Sequence, residues 1–163
     1  MPNEATDMLV RLYDLPESDP RTAGLAAAGI SVRRAMHIDR DRIVDYVSRH
    51  FSPGWRSECQ AAFSRQPASM FVAVKDREII GFACYDCTAK GMFGPTGVTE
   101  TLRGVGIGTE LLRRCLFSMR EEGYAYAVIG WASDAAGFYT KTVGAEPIPH
   151  SHPGIYRRMI GMG

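Results

Sequence analysis

A glycine-rich segment in the second half of the chain carries the strongest chemical signal, and it reads Arg103-Gly104-Val105-Gly106-Ile107-Gly108-Thr109. It stands between a predicted strand and a long predicted amphipathic helix. The first N–H groups of a helix have no internal acceptor, and the helix dipole is positive at that end. Glycines there let a phosphate reach those N–H groups without meeting a Cβ atom. The segment therefore predicts a phosphate-binding loop, with a tight strand-to-helix turn as the alternative.

The spacing of these glycines argues against the two common nucleotide loops. Gly104, Gly106 and Gly108 are spaced G-x-G-x-G, whereas the dinucleotide fingerprint needs G-x-G-x-x-G after a first parallel strand. A nucleoside-triphosphate loop ends in Gly-Lys-Ser/Thr, and the chain contains no Gly-Lys pair. The loop also follows a predicted antiparallel hairpin, so a dinucleotide-binding sheet is disfavoured.

The loop resembles the acyl-coenzyme-A signature of the GNAT N-acetyltransferases, Arg/Gln-x-x-Gly-x-Gly/Ala, at Arg103, Gly106 and Gly108. A second motif of this family follows about 30 residues later and is matched by Ala135, Phe138, Tyr139 and Lys141. The resemblance extends over roughly residues 31–163. It implies the GNAT acyltransferase fold, a mixed α/β architecture with a mostly antiparallel, splayed central sheet flanked by helices.

The resemblance also implies an activity, which is acetyl-CoA-dependent transfer of an acetyl group directly to a primary amine. Acetyl-CoA would be the co-substrate, with its pantetheine arm near Val98 and its pyrophosphate on the N–H groups of residues 105–109. The implied cofactor-binding residues are Val98, Arg103, Gly104, Val105, Gly106, Ile107, Gly108, Thr109, Ala135, Phe138 and Tyr139. A non-catalytic coenzyme-A-binding regulatory module is the alternative function.

Two catalytic roles follow from this implied reaction. An alkyl amine has a pKa of about 10, so a base or a water chain must remove a proton before attack. The resemblance implies Tyr139 as the acid that protonates the leaving thiolate. Glu100 is a candidate base, and Asp86, His150 and His152 are further candidates, with an ordinary polar role as the alternative for each of the four.

The acceptor side departs from the family pattern. Many family members have Asn where this chain has Ala132, and one additional residue stands between Lys141 and Gly144. The acceptor is expected to be a small-molecule or peptide amine. Trp131 is a candidate for the wall of the acyl or acceptor pocket. Trp55 and Phe63 are candidates for an apolar acceptor pocket, with core packing as the alternative for all three.

The cysteines predict no metal site. Cys84-x-x-Cys87 has no second pair and no histidine at zinc spacing. Residues three apart on a strand face opposite sides of the sheet, so these two thiols are expected to point apart. All four cysteines are expected to be free thiols.

Composition and charge narrow the classes of protein to which this chain could belong. The chain has 163 residues with 45% hydrophobic and 23% charged residues, which fits one globular domain. A formal net charge of +1 is too weak for a general nucleic-acid binder. The longest apolar run, Tyr124–Trp131, is far shorter than the ~20 residues of a membrane-spanning helix. The polar start of the chain shows no signal-peptide pattern, so a cytoplasmic location is expected.

Hydrophobic periodicity places these residues on a series of strands and helices. Predicted strands cover residues 8–15, 31–36, 70–74, 79–87, 91–99, 124–131, 145–148 and 155–160, with a kink near Gly94-Pro95 and burial of 124–131 on both faces. Predicted helices cover residues 39–51 and 55–65 and the stripe from Ile107 to Met119, and Asp39 is expected to cap the first of them. A further short helix ends at about Lys141, with Ser133 or Asp134 as its cap.

These elements are expected to form a single domain over residues 1–163. Residues 31–163 form the predicted acetyltransferase core. Residues 1–30 form an N-terminal extension with an extra strand and a short helix, which could cover a sheet edge or contribute to a homodimer.

Overall fold

A computed structural model describes residues 5–162, so residues 1–4 and 163 of the predicted domain lie outside the described residues. Seven strands form one sheet in the order β2-β3-β4-β5-β6-β1-β7. Only β5 and β6 pair in parallel; the other neighbours are antiparallel. The strands are β1 (Met8–Arg11), β2 (Ile30–Arg34), β3 (Met70–Lys75), β4 (Glu78–Tyr85), β5 (Met92–Val98), β6 (Tyr126–Ile129) and β7 (Glu146–Pro147). The predicted mixed α/β fold class is confirmed.

Four α-helices cover the two faces of this sheet: α1 (Arg40–His50), α2 (Pro53–Ala61), α3 (Ile107–Glu121) and α4 (Ala136–Val143). The buried side chains of α1 and α2 form one apolar cluster with β3 and β4. The buried side chains of α3 and α4 belong to a second cluster that includes β1 and β6. The predicted α3 stripe is fully buried, at Ile107, Leu111, Leu112, Cys115, Leu116 and Met119. No helix within residues 5–162 has the length and apolar character needed to cross a membrane.

The N-terminal extension lies inside the sheet and does not cover an edge. Met8 in β1 pairs with Ile129 of β6 on one side and with Pro147 of β7 on the other. The strand ends at Arg11, earlier than predicted, and 3-10 turns follow at Leu12–Asp14 and Pro20–Thr22. The extension therefore supplies an internal strand of the sheet, next to the edge strand β7.

The predicted C-terminal strand over residues 155–160 is wrong. Residues Gly154–Arg158 form a 3-10 helix outside the sheet. The place beside β6 that a returning C-terminal strand would need is taken by β1. The tail is therefore left to pack against the ends of the strands.

The strand β6 is shorter and more exposed than its apolar sequence predicted. Ala127 and Ile129 are buried, but Tyr126 is 48% exposed. The Tyr126 ring instead packs edge-on against Tyr13, with 5.7 Å between ring centroids. The prediction of burial on both faces is wrong because the described helices cover only one face of this strand fully.

Both predicted helix caps are also wrong. A 3-10 turn at His37–Asp39 runs directly into α1, so Asp39 lacks the extended backbone of a cap and makes no capping bond. The short helix α4 begins after Ala135. Ser133 contributes its carbonyl oxygen, not its side chain, to the Ala136 N–H at 3.2 Å.

Candidate functional site

A gap opens in the sheet between β5 and β6. These strands pair only where Met92 and Phe93 face Val128 and Ile129. The strand β5 then bends at Gly94, which has a φ of +113°, a conformation that glycine readily adopts. At the same place the pairing of β5 with β4 shifts in register between Ala83 and Tyr85. The predicted kink is confirmed. The second half of β5 consequently presents a backbone edge without a neighbouring strand.

A cavity of about 790 Å³, the loop cavity, lies on one side of this gap, against the N-terminus of α3. Every residue that the sequence predicted to bind the cofactor lines it. These residues are Val98, Arg103, Gly104, Val105, Gly106, Ile107, Gly108, Thr109, Ala135, Phe138 and Tyr139. The folded chain thus brings the two sequence motifs to one site.

Two glycines of the loop have left-handed backbone conformations at the start of α3. Gly104 and Gly106 have φ values of +88° and +94°, in the left-handed region that favours glycine. Gly106 directly precedes α3, and its carbonyl accepts the Glu110 N–H at 3.1 Å. The first N–H groups of α3 have no acceptor within the helix, as at any helix start. A Cβ on Gly106 would also collide with the backbone carbonyl of Arg21.

Two arginines line the loop cavity, of which Arg21 is ion-paired with Asp19. Arg103 donates from Nε to the Val98 carbonyl at 3.4 Å, across the cavity mouth. Arg21, in the N-terminal extension, bonds Thr142 at 3.0 Å and has its guanidinium 5.9 Å from the Phe138 ring centroid. No aspartate or glutamate is among the described residues that line this cavity.

Arg21 is a site residue that the sequence reasoning missed. Its guanidinium donates to Asp19 at 2.9 Å and 2.6 Å, and this pairing lowers the pKa of the Asp19 carboxyl to about 2. Neither residue belongs to a recognisable motif. Only the tertiary placement of the extension beside the loop brings Arg21 to the cavity.

The exposed edge of β5 faces the loop cavity. Thr99 donates its N–H to the Ile80 carbonyl of the neighbouring β4 strand at 2.9 Å. Because backbone N–H directions alternate along a strand, the N–H groups of Val98 and Thr96 point away from β4. They face the gap and can pair with an extended polar chain lying there.

Tyr139 lies where the two sides of the gap meet. It is the first buried side chain of α4, with 7% of its surface exposed, and its ring is 6.3 Å from that of Phe93. Burial raises the pKa of its hydroxyl to about 12, so this group keeps its proton at neutral pH. It can therefore act as a hydrogen-bond donor or acid at the gap.

A second cavity of about 530 Å³, the tail cavity, lies on the other side of the gap beneath the C-terminal 3-10 helix. Trp131, Ser133, Asp134, Tyr156 and Met159 line it together with residues of α2 and β5. The two cavities adjoin, since both are lined by Trp55, Phe93, Thr96, Ala135 and Tyr139. Trp55 and Trp131, two of the predicted wall residues, line this cavity, whereas Phe63 packs against the cluster of α1 and α2 and lines neither cavity.

The structure does not bring the candidate bases to either cavity. Glu100 is exposed, in a 3-10 turn after β5. Asp86 accepts bonds from the Tyr124 hydroxyl at 2.9 Å and the Gly91 N–H at 2.8 Å, which is a structural role. His150 is exposed, and a His152 ring nitrogen lies 2.6 Å from the Ala5 carbonyl oxygen. None of these four residues lines the cavities.

Glu58 is a carboxylate that does line the tail cavity, and the sequence reasoning missed it. It lies on α2, three residues after Trp55, and is half-buried. Desolvation raises the pKa of its carboxyl group. Its helical spacing from Trp55 was the available signal, because residues three apart share a helix face.

The prediction that Cys84 and Cys87 point apart is wrong. The strand β4 ends at Tyr85, and Asp86 has a φ of +57°, which turns the chain back. A hydrogen bond from Cys84 lowers the pKa of the Cys87 thiol. All four cysteines are free thiols, as predicted. Within residues 5–162, no three Cys, His, Asp or Glu side chains are grouped as metal ligands.

Solved structures show the same fold. A GCN5-related glucosamine N-acetyltransferase region of a fungal multi-domain GH3 beta-N-acetylglucosaminidase has a TM-score of 0.73 and 18% identity, covering 90% of this chain and 20% of that one. A GCN5-related N-acetyltransferase from Sphaerobacter thermophilus has a TM-score of 0.66 and 22% identity, covering 90% and 50%. A predicted acetyltransferase with acetyl-CoA from Clostridium acetobutylicum has a TM-score of 0.57 and 20% identity, covering 74% and 92%.

The chain thus spans only 20% and 50% of the length of the first two structures. No curated protein sequence matches it significantly. The sequence profile of the acetyltransferase (GNAT) family matches residues 37–145, which is more than half of the chain and includes the glycine loop and Tyr139. With the sheet split between β5 and β6 and the loop at the start of α3, this match shows that the protein belongs to the GNAT family of acetyltransferases.

Proposed function

We propose that this protein is an N-acetyltransferase that transfers an acetyl group from acetyl-CoA directly to a primary amine. The observation that carries this proposal is the loop cavity, in which both sequence motifs line one positively charged space beside an open strand edge. The acetyl-CoA named for the Clostridium acetobutylicum relative supports the choice of co-substrate.

The residues of the loop cavity fit the parts of coenzyme A. The pyrophosphate carries negative charge and would be held by the N–H groups of residues 105–109, with Arg103 nearby. Gly104 has no side chain, and even a Cβ atom added there would meet nothing within 4 Å. The space around it is therefore open to a ligand. The amides of the pantetheine arm would pair with the free edge of β5 at Val98 and Thr96. The thioester would then lie near Phe93 and Tyr139.

At this position the protein can assist both halves of the transfer. A β5 backbone N–H that faces the gap can stabilise the oxyanion that forms when an amine attacks the thioester carbonyl. The Tyr139 hydroxyl can donate a proton toward the departing sulfur. The amine would enter from the tail cavity, because the loop cavity holds the cofactor.

Calorimetry with acetyl-CoA and a thiol-release assay with a broad panel of amines test this proposal. We expect acetyl-CoA to bind to the folded protein and at least one amine to release free coenzyme A. Absence of binding to folded protein would overturn the proposal. Binding without transfer to any amine would favour the regulatory module instead.

A further inference from the structure

The tail cavity is negatively charged. Glu58 and Asp134 line it, and no Lys, Arg or His is among the described residues that do so. Neither carboxylate belongs to an ion pair within residues 5–162. A partly desolvated carboxylate without a cationic partner favours a positively charged ligand and disfavours an anionic one.

Five aromatic side chains contribute to the remaining wall of the tail cavity. The rings of Trp131 and Tyr156 lie 4.7 Å apart between centroids. Trp131 is held by its Nε1–H on the Pro153 carbonyl at 3.0 Å and by its backbone N–H on Asp7 at 3.1 Å. The aromatic lining residues are Trp55, Phe93, Trp131, Tyr139 and Tyr156. A volume of about 530 Å³ suits a small molecule with a flat apolar body.

Glu58 is the carboxylate placed to receive the charged end of such a molecule. Four other polar residues line the same cavity. They are Thr88 in the loop after β4, Asp134 in the loop before α4, Tyr139 in α4 and Tyr156 in the tail. Burial raises the pKa of Glu58, and Thr88 offsets this shift in part. Burial, with a smaller contribution from the nearby charge of Glu58, raises the pKa of Tyr156 to about 12, so that hydroxyl stays neutral.

We propose that the tail cavity binds a small primary amine carried on an aromatic or heteroaromatic body without an anionic group, and that Glu58 binds its ammonium group and accepts its proton. This inference rests on the proposed acetyl transfer, since it names the acceptor of that reaction. Arylalkylamines are the corresponding chemical class.

The proposed reaction balances in atoms and charge. The ammonium gives one proton to the Glu58 carboxylate, and the nitrogen lone pair then forms a bond to the thioester carbonyl carbon. The C–S bond breaks, and its electron pair goes to sulfur. A second nitrogen proton reaches the sulfur through the Tyr139 hydroxyl, which gives one proton and receives another. Glu58 then releases its proton to water.

Matched pairs of amines test the acceptor class. Phenethylamine and tryptamine have the required body and charge, whereas phenylalanine and tryptophan add only a carboxylate. Glucosamine and spermidine supply amines without an aromatic body. We expect kcat/KM in the thiol-release assay to be about 100-fold higher for the aromatic amines than for the matched amino acids.

Substitution of the carboxylate tests the residue. Glu58→Gln should lower kcat/KM for phenethylamine about 100-fold and leave the Kd for acetyl-CoA unchanged. Asp134→Asn is the matched control on the same cavity, and its loss should be several-fold at most, because Asp134 is exposed. Thermal denaturation of both variants verifies that they fold.

The outcomes separate this inference from the proposed function. If acetyl-CoA binds and glucosamine, spermidine or a peptide is acetylated in preference to the aromatic amines, the acceptor class is overturned and acetyl transfer stands. If acetyl-CoA binds and no aromatic amine is acetylated, the inference is likewise wrong. Unchanged kcat/KM in Glu58→Gln would overturn the role of that residue. Failure to bind acetyl-CoA would overturn the proposed function itself.

Discussion

The two cavities that adjoin at the split between β5 and β6 differ in charge and in origin. The loop cavity is lined by Arg21 and Arg103 and by the positive end of α3, and no acidic residue is among its described lining residues. The tail cavity is lined by Glu58 and Asp134, and no basic residue is among its described lining residues. The first suits a polyanion and the second suits a cation.

With the proposed co-substrate and acceptor, this difference would let a nearly neutral chain bring two oppositely charged reactants together. The formal net charge is only +1, so long-range attraction of either reactant is weak. On the proposed function, selection would instead depend on local charge at each side of the gap, where Glu58 is half-buried and Arg21 and Arg103 are exposed to screening by salt. Both cavities share Phe93 and Tyr139, so the reacting groups would meet between them.

The largest expected effect comes from Gly106→Ala, which breaks the loop cavity itself. The new Cβ would collide with the backbone carbonyl of Arg21, and the φ of +94° is strained for alanine. We expect acetyl-CoA affinity to fall about 100-fold or more and Tm to fall by about 5 °C or more, measured by calorimetry and thermal denaturation.

Gly104→Ala is the matched control for that substitution. Its φ of +88° imposes a similar backbone strain, but a Cβ there would meet nothing within 4 Å. We expect a Tm loss of about 3 °C and a smaller loss of affinity. Equal effects of the two variants would contradict the role of the Arg21 contact.

The next effect is that of Tyr139→Phe, which alters the place where the cavities meet. Loss of the hydroxyl should lower kcat about 100-fold, because no buried proton donor then faces the sulfur. The Kd for acetyl-CoA, measured by calorimetry, should change little, since the ring remains. An unchanged kcat would show that Tyr139 only packs α4.

Arg103→Glu tests the positive charge of the loop cavity directly. Reversal of this charge should weaken acetyl-CoA binding about 10- to 100-fold, as expected for one charge-assisted phosphate contact. The loss should decrease as salt is added, because Arg103 is exposed. Arg33→Glu, on the edge strand β2, makes the same change in net charge and should leave binding nearly unchanged.

The smallest effect is expected from Gly130→Ala, which disturbs only the tail cavity. A Cβ on Gly130 would meet the Tyr156 hydroxyl and lie 2.7 Å from Met92 Cε. Displacement of Tyr156 should raise KM for the amine about 3- to 10-fold and leave acetyl-CoA binding unchanged. A change in acetyl-CoA affinity alone would contradict the division between the two cavities.

The glycine loop of the loop cavity could be predicted from the sequence because its conformation depends on residues that are neighbours in the chain. A glycine loop that runs into a buried helix has one backbone geometry wherever it occurs, and the stripe from Ile107 to Met119 sets which side of α3 faces the sheet. The tail cavity could not be predicted in the same way. Glu58 and Tyr156 are 98 positions apart in the chain, and neither carries a local pattern that relates it to the other.

The sequence by itself determined the mixed α/β class, the order of most elements and the glycine loop before a helix, since these depend on periodicity and on neighbouring residues. Only the tertiary structure decided that β1 enters the sheet beside β6, that the tail lines the cavity on the far side of the gap, and that Glu58 lines the same cavity. The physical reason is that strand pairing is a contact between distant segments. Short strands such as β1 and β7 carry too few residues to specify their neighbours in advance.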